Sequence, residues 1–81
     1  MLTVRYWAAA RAASGVAEEQ VTGGVTFPDL VGDLAARHGE RLAAVLARCS
    51  FLLDGEQLHG DARRTLPADG ALDVLPPFAG G

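Results

Sequence analysis

The last seven residues, "LPPFAGG", combine residue types that are unusual for the end of a chain. Pro76 and Pro77 restrict the backbone to an extended, polyproline-like path, so this segment would leave a folded domain as a stiff arm. Phe78 carries a large apolar ring that is costly to expose to water and well suited to anchoring in a partner's groove. We therefore expect residues 76–81 to form a tail that inserts into another protein.

The reacting group of this tail would be the α-carboxylate of Gly81. Ala79, Gly80 and Gly81 reduce the chain to little more than backbone, which can enter a channel too narrow for side chains. The carboxylate is ionised at pH 7, far above the ordinary pKa of an α-carboxyl group, and the anion resists nucleophilic attack. An ATP-using partner could activate it as an acyl-adenylate. Sulfide would then yield a thiocarboxylate, and a lysine would yield an isopeptide bond.

The other potentially reactive side chains lie far apart in the sequence and predict no further site. His38, Cys49 and His59 lack the paired spacing of zinc ligands, so we expect no metal site. Cys49 could act as a nucleophile or carry a persulfide, but its place at the end of an apolar helical stripe favours a structural role. His38 is expected to be a partly buried packing residue, and His59 a solvated loop residue.

Composition limits the function classes that the chain can serve. Its 81 residues suffice for one small domain, and 49% hydrophobic residues provide material for a core. The formal net charge is -3 with no long basic run, which disfavours nucleic acids and membrane surfaces as partners. All seven basic residues are arginine, so the chain offers no lysine as an isopeptide acceptor. A single cysteine and the lack of a signal-peptide pattern or long apolar run predict a cytoplasmic protein.

Hydrophobic periodicity predicts the elements that would hold the tail. Leu2, Val4 and Tyr6 alternate with polar residues as in a strand, "AAARAAS" predicts a short helix ending at Gly15, and "VAEEQVT" predicts a second strand. The clearest helix begins at the N-cap Thr26 and ends near Gly39, and a shorter apolar stripe continues to Cys49. Together these helices could cover one face of a sheet.

Further strands complete the predicted domain. Asp54-Gly55 predicts a tight turn between a third and a fourth strand, since both positions favour positive φ. In the last strand, "ALDVL", Leu72 and Val74 would point inward and Leu75 outward, beside the tail. The sheet face away from the main helix is therefore expected to bind a partner. The order predicts an α+β domain, residues 1–75, with a mixed sheet packed on one main helix.

These segments resemble a known family, the sulfur-carrying small subunit of molybdopterin synthase, within the wider group of ubiquitin-like sulfur carriers. The resemblance spans nearly the whole chain, through "VRYWAAARAA", the capped helix, "LLDGEQL", "LPADG" and above all "LPPFAGG". The Gly-Gly end is shared by all such carriers, whereas Pro76-Pro77 and the alanine-rich segment point to the molybdopterin branch. Two features depart from the family pattern: Ala71-Leu72 replaces a frequent acidic pair, and Phe78 is bulkier than usual.

The resemblance implies a β-grasp fold, with the first and last strands parallel at the sheet centre, and a protein without catalysis or a bound cofactor of its own. An E1-like adenylyltransferase would use ATP to adenylate Gly81, which then becomes a thiocarboxylate. The tail would enter the large subunit of the synthase and donate sulfur to cyclic pyranopterin monophosphate. Because one dithiolene needs two sulfurs, a heterotetramer of two large and two small subunits is implied.

Three alternatives stay open at the level of sequence. The chain could carry sulfur for another pathway, such as thiamine, cysteine or tRNA thiolation. It could instead be a ubiquitin-like protein modifier whose Gly81 ends on a target lysine. Finally, it could be a passive interaction domain with an incidental Gly-Gly end, since chain ends are often poorly ordered.

Overall fold

The computed structural model describes residues 1–58 and 64–77. Five strands and three helices follow one another in this part of the chain: β1 (Leu2–Tyr6), α1 (Ala8–Ser14), β2 (Glu18–Val21), α2 (Phe27–His38), α3 (Glu40–Leu46), β3 (Ser50–Leu53), β4 (Glu56–Leu58) and β5 (Gly70–Leu75). The order agrees with the one predicted from hydrophobic periodicity.

The strands form one mixed sheet in the order β2-β1-β5-β3-β4. The first and last strands, β1 and β5, are parallel neighbours at its centre, while the other three pairings are antiparallel. This is the arrangement implied by the resemblance to the ubiquitin-like carriers. The predicted α+β, β-grasp fold class is confirmed.

All three helices contribute to a single core on one face of the sheet. Helix α2 begins where predicted, because the Thr26 hydroxyl accepts a hydrogen bond from the backbone N–H of Asp29, and it ends at Gly39 with a φ of 92°. The buried side chains of the helices include Leu30, Leu34 and Leu42. They meet the inward side chains of the central strands, which are Leu2, Val4, Tyr6, Leu72 and Val74.

The turn between β3 and β4 also anchors the start of β5. Asp54 and Gly55 both have positive φ, 48° and 87°, as predicted for this pair. The Asp54 backbone N–H donates to the carbonyl of Ala71, whose own N–H donates to Asp54 Oδ1 at 2.9 Å. This reciprocal pair of bonds fixes the position from which β5 runs towards the tail.

Two details differ from the sequence-based expectations. Strand β2 begins two residues later and ends one residue earlier than "VAEEQVT", because Val16 is engaged in a turn through the Ser14 hydroxyl. Leu66, which no predicted helix or strand includes, is 1% exposed and exchanges backbone hydrogen bonds with Gly24 and Val25. In the described ranges, no helix is long and apolar enough to cross a bilayer.

Candidate functional site

The parallel pairing of β1 and β5 determines where the tail begins. Tyr6 pairs with Val74, and the next backbone N–H, that of Trp7, donates to the Val74 carbonyl at 3.2 Å. On the other side of β5, Leu75 pairs with Ser50, the first residue of β3. The chain therefore leaves the sheet between the end of β1 and the start of β3.

The predicted tail is described only at its start. Pro76 is half-buried and Pro77 is exposed directly beyond the last strand. The predicted anchor Phe78, the narrow segment of Ala79 and Gly80, and the reacting residue Gly81 lie outside the described residues. Their roles stay predictions.

Leu75 lies on the sheet face opposite the helices, as its alternation predicts. Its neighbours Leu72 and Val74 are fully buried, whereas Leu75 is only half-buried. Leu52, which is also half-buried, shares this outer face on the neighbouring strand β3. In the described part of the chain, the helix residues that enter the core all pack against the opposite face.

The sequence reasoning missed Trp7, which is 49% exposed and continues the outward alternation of Thr3 and Arg5. Its indole Nε1 donates to Asp73 Oδ1 at 3.0 Å, and Arg5 Nη1 lies 3.8 Å from the same oxygen. We call Trp7, Leu52 and Leu75 the outer patch. The alternation along β1, extended by one residue beyond Tyr6, would have predicted that Trp7 points outward.

Cys49 has the surroundings of a structural thiol. It follows α3, is half-buried, and its Sγ donates to the Val45 carbonyl at 3.1 Å. Burial raises the pKa of the thiol, which reduces the fraction present as nucleophilic thiolate at neutral pH. This environment agrees with the predicted packing role.

A second cluster of polar side chains joins β1, β2 and α2 on the core side. Glu19 Oε2 lies 2.5 Å from His38 Nε2 and accepts a 2.6 Å hydrogen bond from the Tyr6 hydroxyl. Burial, reinforced by the bond to Glu19, raises the pKa of Tyr6 far above its ordinary value. Burial alone would also raise the pKa of Glu19. The hydrogen bonds from Tyr6 and His38 and the charge of Arg37 outweigh it, so that this pKa is lowered.

This cluster has a structural role, because it links β1 and β2 to α2 through hydrogen bonds and ion pairs. Its groups use one another as partners, and His38 is partly buried, as expected from its position on the apolar side of α2. His59 lies outside the described residues. Within residues 1–58 and 64–77, no three acidic, histidine or cysteine side chains are arranged to hold a metal ion.

An apolar groove of about 370 Å³ lies on the helix side, away from the outer patch. Its walls are the first turn of α2, the end of α3, and the side chains of Cys49, Phe51 and Leu58. None of the described residues that line it carries a charged side chain. The arrangement with the clearest functional meaning is therefore the outer patch beside the start of the tail.

Solved structures with this fold include a protein assigned as a molybdopterin converting factor subunit and small archaeal modifier proteins. The Pyrococcus furiosus protein assigned as molybdopterin converting factor, subunit 1, has a TM-score of 0.76 at 24% identity, covering 95% of this chain and 97% of that one. Small archaeal modifier protein 1 from Methanosarcina acetivorans has a TM-score of 0.79 at 22% identity, covering 99% and 95%. The HVO 2177 protein of Haloferax volcanii has a TM-score of 0.75 at 28% identity, covering 99% and 85%.

A search of curated protein sequences finds no significant match. The sequence profile of the ThiS family, in contrast, matches residues 4–81, a range that includes the outer patch and the whole predicted tail. Members of this group are small ubiquitin-like carriers that generally catalyse no reaction themselves and act with E1-like enzymes and larger partner subunits. The chain belongs to the ThiS family, with the β-grasp fold of the ubiquitin-like sulfur carriers and modifiers.

Proposed function

We propose that this chain is a cytoplasmic sulfur carrier for molybdopterin biosynthesis, with no cofactor of its own. The Gly81 carboxylate attacks the α-phosphate of ATP on an E1-like adenylyltransferase and releases pyrophosphate. Sulfide from a donor system then displaces AMP at the carbonyl carbon and leaves a thiocarboxylate. The charged tail enters the large subunit of molybdopterin synthase, where sulfur passes to cyclic pyranopterin monophosphate.

The observation that carries this proposal is the family match through Gly81, combined with the parallel pairing of β1 and β5. The pairing ends β5 at Leu75, at the same end of the sheet at which Trp7 follows β1. A partner that takes in the tail must approach this end, and a partly exposed apolar patch beside a reactive arm suits an interface.

The choice of the molybdopterin pathway rests on Pro76-Pro77 and on the alanine-rich helix α1. Two sulfurs are needed for each dithiolene, so two charged carriers must act for each product. We therefore propose a heterotetramer with two large subunits. Delivery of sulfur to thiamine, cysteine or tRNA thiolation is the alternative within the same chemistry.

A role as a protein modifier is a second candidate, favoured by the structural likeness to small archaeal modifier protein 1. The absence of lysine from the sequence means that this chain cannot build lysine-linked chains on itself. As a modifier, it would attach to lysines of other proteins as a single copy. Branched peptides carrying the Gly80-Gly81 remnant on target lysines would identify this function.

The test is reconstitution from purified components. The carrier is incubated with the E1-like adenylyltransferase encoded in the same genome, ATP and a sulfide source, and its intact mass is measured. We expect sulfur to replace one terminal oxygen, and the product to support molybdopterin formation with the large subunit. A carrier that is neither adenylated nor thiocarboxylated would contradict the proposal, and charging without molybdopterin formation would point to another pathway.

A further inference from the structure

We propose that Asp73 is a positioning residue, which holds the indole of Trp7 in its binding orientation before a partner arrives. The inference rests on the proposed function, because the partner is the E1-like adenylyltransferase that receives the tail. It adds a residue that the sequence analysis did not single out.

The geometry joins two neighbouring strands on the outer face. Asp73 pairs with Arg5 in the parallel ladder of β1 and β5. Its Oδ1 accepts the indole N–H of Trp7 at 3.0 Å and lies 3.8 Å from Arg5 Nη1. The Asp73 side chain is 19% exposed, so the carboxylate is largely covered, whereas Trp7 is 49% exposed.

The backbone of Trp7 is fixed independently of its side chain. Its N–H donates to the Val74 carbonyl, and its φ of -116° and ψ of 148° continue the extended strand up to the start of α1. The remaining freedom of the residue is rotation of its side chain. The hydrogen bond to Asp73 restrains that rotation, so less conformational entropy is lost when a partner covers the indole.

The same carboxylate determines what kind of surface fits the patch. Asp73 accepts the hydrogen bond of the indole N–H, and its negative charge compensates the positive charge of Arg5. The centre of the patch therefore presents mainly apolar surface. We therefore expect the enzyme to present an apolar surface to Trp7 and Leu75. Raising the salt concentration should change this part of the interaction little, because screening acts on exposed charges.

The Asp73–Trp7 bond can be tested first in the free protein. The chain has a single tryptophan, so its indole ¹H–¹⁵N resonance and steady-state fluorescence anisotropy report on this site alone. Asp73→Ala should shift the resonance, accelerate exchange of the indole proton and lower the anisotropy. Asp73→Asn retains an acceptor oxygen and should stay close to the wild type. An unchanged indole signal in Asp73→Ala would overturn the inference.

The functional consequence is tested with the adenylyltransferase by ATP–pyrophosphate exchange. Asp73→Ala should raise the KM for the carrier about 3- to 10-fold, the range expected when one side chain is no longer pre-ordered, with kcat unchanged. Asp73→Asn should restore KM to within about two-fold. Gln20→Ala is the matched control. It removes a hydrogen bond to Thr3 on the same face but at the far end of the strands, and should leave KM unchanged.

A double-mutant cycle separates positioning from direct contact. Trp7→Phe retains an aromatic ring but lacks the N–H donor, so adding Asp73→Ala to it should have no further effect on KM. A persistent effect of Asp73→Ala would mean that Asp73 acts by another route than the indole, either by contacting the enzyme or by compensating the charge of Arg5, and would overturn the positioning role. Equal KM values for all variants would overturn the positioning role of Asp73 and would leave the proposed function standing. Failure to adenylate the wild type would overturn the proposed function, and this inference with it.

Discussion

Tyr6 and Val74 lie side by side as the last paired residues of the parallel strands β1 and β5. Parallel strands end at the same edge of a sheet, so the exposed Trp7 and the start of the tail emerge together. A single surface can therefore recognise the folded domain while the tail reaches into a partner's active site.

The first prediction concerns Leu75, whose half-buried side chain lies on the outer face beside the tail. Leu75→Glu would place a charge in an apolar interface and should weaken binding to the large subunit at least about tenfold. Ala36→Glu, an equally charged change at an exposed position of α2 on the other side of the sheet, is the control and should have little effect. Isothermal titration calorimetry measures both, and unchanged affinity of Leu75→Glu would show that this face does not bind the partner.

The second prediction concerns Phe78, expected to be an anchor that is buried only in the complex. Phe78→Ala should cost about 2 kcal/mol of binding free energy, or about thirtyfold in affinity, with almost no change in melting temperature. Phe78→Leu, which retains most of the apolar surface, should bind more tightly than the alanine variant. A large fall in the melting temperature of Phe78→Ala would place the ring in the domain's own core instead.

The third prediction uses two glycines that differ in the space around them. A Cβ at Gly23 would lie 2.2 Å from the Pro67 carbonyl oxygen, so Gly23→Ala forces backbone apart and should destabilise the fold by about 2–4 kcal/mol. Gly32, inside α2, has open space at this position, and Gly32→Ala should stabilise the fold by about 0.5–1 kcal/mol. Urea unfolding of both variants checks the opposite signs, and equal effects would contradict the packing of Gly23 against Pro67.

The fourth prediction is the pH dependence contributed by Glu19. Hydrogen bonds from Tyr6 and His38 lower its pKa in the folded state. The folded protein therefore binds fewer protons here than the unfolded chain. This stabilisation is complete above the unfolded pKa, at about pH 4.3 and higher, and is lost as the pH falls through the folded value. Glu19→Gln should reduce stability at pH 7 by about 1–3 kcal/mol and flatten the acid limb of the stability curve.

Urea unfolding at several pH values from neutral to acidic conditions measures this effect. Glu18→Gln is the matched control, because Glu18 is exposed on the adjacent position of β2 and no hydrogen bond or ion pair joins it to the cluster in the described residues. An acid limb that is equally steep in wild type and Glu19→Gln would contradict the assigned role of this carboxylate.

Local patterns in the sequence predicted the individual elements of this fold well. The alternation of Leu2, Val4 and Tyr6, the cap at Thr26 and the Asp54-Gly55 turn each depend on neighbouring residues, and each is found as predicted. Alternation tells which side chains point inward but not which strands are neighbours. The central parallel pair was therefore expected only from the resemblance to a family.

The features that the sequence did not reveal are contacts between distant residues. Trp7 reaches Asp73 and Glu19 reaches His38 only after the strands have been ordered and α2 has packed on the sheet. No periodic signal encodes either pair. The roles of the tail were predicted from residue type and order, and those of residues 78–81 stay predictions.

The central claim, that Gly81 bears the transferred sulfur while the sheet and Phe78 supply most of the binding energy, is tested by changing the tail length by one residue. Deleting Gly81 moves the end of the tail by about 3.3 Å, and positioning errors of about 1 Å can cost about a hundredfold in rate. The wild type, the deletion and a variant with one added residue are each charged chemically with a C-terminal thiocarboxylate, which bypasses activation. Product formation and affinity for the large subunit are then measured together. We expect affinity within a few-fold for all three and product from the wild type alone. Normal turnover by the shortened or extended carrier would contradict this claim. Cys49 would then have to be reconsidered as the sulfur-bearing residue.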